Sequence, residues 1–176
     1  MLDETTNVKV LATLADIPIE TREVCDSWLL LTYDIPNTKE GARVRSKFLS
    51  KARYLGATQH TASVYFMPWS LEAEGAALEI ASVGSACIWS RAQVKEDQAK
   101  TITETYDKGL EDVLDEIDER LDKIAVNLSK DRLKTATKMA DRTRDMLANI
   151  SPAVIRRGSA GLYIYLTLLE RRLSEI

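Results

Sequence analysis

Asp34 closes the apolar run Trp28-Leu29-Leu30-Leu31-Thr32-Tyr33 and is followed by Ile35-Pro36-Asn37. A carboxylate at the carboxyl end of a buried strand points into the crevice where ligands and metal ions commonly bind. Aspartate is also a common turn-former ahead of proline, so the position reads as structure too. One carboxylate cannot hold a catalytic metal alone, but a dimer that brought two copies of Asp34 together could complete a Mg²⁺ site. A second constellation is basic. Arg43, Lys47 and Lys51 share a helical face, with Arg45 and Arg53 nearby, and Arg156-Arg157 adds a pair further along. Such a strip contacts phosphates or is simply a solvated helix face.

Other chemistry has little foothold. His60 is the only histidine and has no Ser or Cys nucleophile motif around it, so no triad is expected. Cys25 and Cys87 with one histidine cannot make a recognisable zinc site and read as two reduced thiols. The acidic run Glu111-Asp112, Asp115-Glu116, Asp118-Glu119 contains i,i+4 carboxylates, but without histidines it reads as a solvated face. There is no GxGxxG, no Walker loop and no HExxH. No cofactor is therefore expected, apart from Mg²⁺ if Asp34 works as a pair.

These residues need elements to position them. Trp28–Tyr33 is a short apolar run bounded by Asp, Pro and Asn, which predicts a buried strand. In residues 39–55, Phe48, Ala52 and Leu55 step by four and three along one helical face, and Gly56 is a fitting stop. Two strand pieces follow, Ala57–His60 and Ala62–Met67, the second closed by Pro68. Ser70 caps a helix whose apolar face is expected to be Leu71, Leu78 and Ile80, with Gly84 as its end and a last strand from Ala86. The order β-α-β-β-α-β over residues 28–94 is the ferredoxin-like arrangement.

After residue 99 the period changes. Leu110, Leu114, Ile117, Leu121, Ile124 and Leu128 form one heptad seam, and Leu133, Ala136, Ala140, Thr143, Leu147 and Ile150 form another. The break between them predicts two antiparallel helices. Ser151-Pro152 reads as the start of a further helix, interrupted at Gly158-Ser159-Ala160-Gly161. The expected fold class is thus α+β: an N-terminal arm (1–27, with a short helix near 5–15), a ferredoxin-like βαββαβ domain (28–95) and a C-terminal helical hairpin or bundle (96–176).

Charge follows the same division. The formal total is −3, yet residues 1–27 carry −4, 28–69 carry +4, 96–128 carry −7 and 129–176 carry +5. Antiparallel helices would let the last two blocks face each other, leaving residues 43–53 as the best-exposed basic surface. A near-neutral total excludes a uniformly basic nucleic-acid coat, and the composition excludes wholesale disorder. No uninterrupted apolar run approaches the roughly 20 residues needed to span a bilayer. The acidic start MLDETTNVKV has no apolar core of a secretion signal, so a cytoplasmic protein with no membrane partner is expected.

The stretch Trp28–Pro36, then Arg43-x-Arg45, Leu55-Gly56 and Ser63-Val64-Tyr65-Phe66-Met67-Pro68 resembles a known domain type. It is similar to the ferredoxin-like domain shared by CRISPR-associated protein 2, the C-terminal part of the repressor PaaX and the N-terminal domain of the chromate-resistance regulator ChrB. The helical region after the sheet favours the ChrB-like group. That resemblance implies a dimeric, non-enzymatic DNA-binding regulator or scaffold, with Arg43, Lys47, Lys51, Arg53, Arg156 and Arg157 as phosphate contacts. Resemblance to the CRISPR protein implies instead a Mg²⁺-dependent nuclease with Asp34 as metal ligand. A third expectation is a protein–protein adaptor that recruits its partner through the heptad seams.

Overall fold

A computed structural model describes residues 27–82 and 86–176. The arm up to residue 26, with its expected helix and Cys25, and the Gly84 stop lie outside the described residues. Among the described residues, four strands and two helices interleave and then give way to three helices: β1 (Trp28–Asp34), α1 (Lys39–Tyr54), β2 (Thr58–Thr61), β3 (Val64–Pro68), α2 (Leu71–Ala81), β4 (Ala86–Ala92), α3 (Glu96–Ser129), α4 (Leu133–Arg157) and α5 (Ala160–Ser174). The protein is α+β and mostly helical.

The sheet is antiparallel, in the order β2-β3-β1-β4. β1 lies inside it, with Leu30 opposite Phe66 on one side and Ser90 on the other. Period-two alternation divides its side chains. Leu29, Leu31 and Tyr33 join Tyr65 and Met67 under Phe48 and Ala52 of α1 and Ala73, Ala76, Ala77 and Ile80 of α2. Trp28 points the other way, into a second core with the long helices, and Phe66 packs against that core. Tyr106 of α3 meets Trp28 edge-on at 6.1 Å and donates to the Ala153 carbonyl at 3.3 Å. The helical region and the sheet domain therefore share a core although their sequence patterns differ.

Local chemistry sets the helix ends. Thr38 caps α1 by accepting from the Gly41 amide, and Ser70 caps α2 by accepting from the Ala73 amide. Gly56 follows α1 at φ +68°, and a Cβ there would collide with the Tyr106 ring. Both facts require glycine.

Two expectations are corrected. Leu71 and Leu78 are exposed, because α2 lays its alanines on the sheet; small residues let the helix approach closely, and only Ile80 of the expected face is buried. Ser151-Pro152 starts no helix: α4 runs through it to Arg157. Ile150, Ala153 and Val154 are buried on either side of the proline, and this packing outweighs the lost backbone bond. The Ser151 hydroxyl donates back to the Leu147 carbonyl at 2.7 Å. The true break is Gly158, left-handed at φ +67°. Both heptad seams are buried in the α3–α4 pair except at their ends, where Leu128 is half-buried and Leu133 exposed. α5 closes the bundle with Leu162, Leu166, Leu169 and Leu173. Among the described residues no helix is long and apolar enough to cross a membrane.

Candidate nucleic-acid interface

The sequence-derived cations lie on three surfaces, and most already have partners. Lys47 and Lys51 both reach Glu79 of α2, at 3.4 and 2.6 Å. Arg53 pairs with Glu116 of α3, which also takes Arg120 at 2.8 Å. Arg45 donates to the Ile35 carbonyl at 3.0 Å. These partners hold their carboxylates below the ordinary glutamate range: Glu79 mainly through the Lys51 hydrogen bond, Glu116 through Arg120 and then Arg53. Arg43 alone of the strip is exposed with no carboxylate partner among the described residues.

At the other end, Arg156 bridges to Glu72 at 3.0 Å. Arg157 is 6% exposed and grips Asp107 of α3 with two bonds, at 2.6 and 2.9 Å. It acts as a packing ion pair between α3 and α4, out of reach of a phosphate. Three further acids of α3 are engaged by α5. Arg172 of α5 binds both Asp118 and Asp122, and the Tyr165 hydroxyl donates to Asp115 at 2.8 Å. Burial first, then that carboxylate, push the Tyr165 hydroxyl up to about 12. The two charge blocks do face each other, through Arg157 and α5. The strip at 43–53 is not the freest basic surface, because acids distant in sequence fold onto it.

The unpaired cations are elsewhere. Lys130, Arg132, Lys134, Lys138 and Arg142 surround the turn from α3 to α4, all exposed and without a carboxylate partner among the described residues. Lys134, Lys138 and Arg142 step by four, opposite the buried Ala136, Ala140 and Thr143. The first turn of α4 holds no acid and its N-cap Arg132 makes no side-chain cap bond, so its amides add to the positive field. Residue-by-residue reading missed this patch, although the +5 block contained it. Asp131 and Asp141 are the only acids between residues 130 and 142, and Asp141 is occupied by Arg144 at 2.9 Å.

Asp34 is exposed at the end of β1, opposite Ala86. No group of three or more His, Cys, Asp or Glu side chains suited to a metal ion forms among the described residues. His60 is exposed on β2 and lies edge-on to Phe66 at 6.0 Å. Cys87 is a free, half-buried thiol whose pKa burial raises. Comparison with protein-family models, curated proteins and solved structures finds no match.

Proposed function

We propose that this chain is a non-enzymatic DNA-binding regulator or nucleic-acid scaffold of ChrB-like type, acting as a dimer, with residues 28–95 forming a ferredoxin-like domain. The strand order β2-β3-β1-β4 with α1 and α2 on one face supports the domain reading. The observation that carries the function is the unpaired cationic patch at the α3–α4 turn. Five cations without carboxylate partners among the described residues, beside a helix start with no side-chain cap, form a surface suited to phosphates. Arg43 and Lys39 of α1, exposed and without a carboxylate partner among the described residues, are the second contact. Ile88, 71% exposed on the edge strand β4, is an apolar surface on which two copies can associate. No cleavage step is assigned to Asp34.

Fluorescence anisotropy with a labelled duplex at two salt concentrations tests this. Affinity is expected to fall as salt rises. Replacing Lys134, Lys138 and Arg142 by glutamate should weaken binding and flatten the log–log salt slope by about 3, near 0.9 for each lost phosphate contact. Salt-independent binding, no binding at low salt, or an unaffected triple variant would overturn the reading.

A further inference from the structure

We infer that the cleft where α1, α2 and α4 meet binds a small zwitterion with an apolar side chain, of which an apolar α-amino acid is the simplest. The cleft encloses about 420 Å³ and is floored by Tyr54, Leu55 and Ala153. That size falls within the range of small-molecule sites.

Two opposing walls carry residues that a helix interior disfavours. Gly75 lies in the middle of α2, and a Cβ there would meet nothing within 4 Å, so packing does not demand glycine. Its missing side chain keeps the cleft open. Across from it stands Pro152 within α4, which has no amide hydrogen for the Ala148 carbonyl; both residues line the cleft. An acceptor is thus left without its helical donor beside the cavity. Departures from local preference that converge on one cavity are a mark of a functional site.

The rim decides the ligand's charge. It carries Lys51 with Glu79 and Arg156 with Glu72, two cations and two carboxylates. A net anion such as a phosphate would meet both glutamates and the Ala148 carbonyl. A net cation would meet the ammonium and the guanidinium. A zwitterion satisfies both signs: its carboxylate adds to Arg156 and Lys51, and its ammonium donates to the Ala148 carbonyl and a rim glutamate. Its side chain covers the Tyr54, Leu55 and Ala153 floor.

Isothermal titration calorimetry of the full chain tests the site, with L-leucine and L-phenylalanine as probes. Isovalerate and isoamylamine serve as analogues carrying one charge each. One of the amino acids should bind saturably, and at least about tenfold more tightly than either single-charge analogue. Gly75→Leu starts from a position where a Cβ meets nothing within 4 Å and extends its side chain into the cleft, so it should keep the circular dichroism and melting temperature and lose the binding heat. Arg156→Gln should weaken the amino acid about tenfold while leaving the amine unchanged. No saturable heat from either amino acid, equal binding of a single-charge analogue, or unchanged binding by folded Gly75→Leu would overturn the proposal.

Discussion

At the scale of single residues, two positions on or against α3 test how the two cores are joined. Gly56 combines a left-handed backbone with contact against the Tyr106 ring, and Tyr106 in turn braces Trp28. Gly56→Ala adds left-handed strain and forces that fully buried ring to move, so a loss of about 3 kcal/mol is expected from urea unfolding. Thr103 of α3 is the opposite case. It is 2% exposed and its hydroxyl has no hydrogen-bond partner among the described residues. An unsatisfied buried hydroxyl costs about 1 kcal/mol or more. Thr103→Val keeps the branched shape and removes that cost, so the melting temperature should rise by roughly 2–4 °C. A fall would mean that the hydroxyl has a partner in solution.

At the scale of elements, α1 shows why a basic helix face is not by itself a basic surface. Glu79 of α2 occupies both Lys47 and Lys51. Glu79→Gln removes the charge without changing the shape, releasing two cations beside Arg43. In the DNA titration this variant should bind more tightly, and its salt slope should steepen by up to about 2. An unchanged slope would place α1 outside the contact. The strip itself was legible in the sequence because it depends on spacing within one helix. Its neutralisation was not, because Glu79 and Glu116 reach it across 28 and 63 residues. The same limit explains α2: large residues announce a face, yet the sheet accepted the alanines Ala73, Ala76 and Ala77. Ser151-Pro152 misled for a related reason. A local start signal was overruled by the burial of Ile150, Ala153 and Val154. The strands and the heptad seams were legible because breakers and periodicity are local properties.

At the scale of the whole molecule, the sheet layer and the bundle are joined by apolar contact at Trp28 and Tyr106 and by ion pairs around its edge. Glu116 links α3 to α1 through Arg53, and Glu72 links α2 to α4 through Arg156. Glu116 is lowered chiefly by Arg120 and then by Arg53; Glu72 is lowered by its own backbone amide, then by Ser70 and Arg156. A carboxylate with a depressed value in the folded state gives up its proton more readily there than in the unfolded chain. Its contribution is therefore complete above the ordinary glutamate value of 4.5 and is lost as pH falls through the lowered folded value. The pairs are partly exposed, with Glu72 at 62%, so each is worth less than about 1 kcal/mol. Their joint effect is a modest acid shoulder rather than a collapse. Between about pH 6 and pH 3 the melting temperature should fall. A double variant, Arg53→Met with Arg156→Met, should start lower at pH 6 and fall less steeply. If both proteins show the same slope, the ion pairs are not what couples the two layers, and Trp28 against Tyr106 is left as their connection.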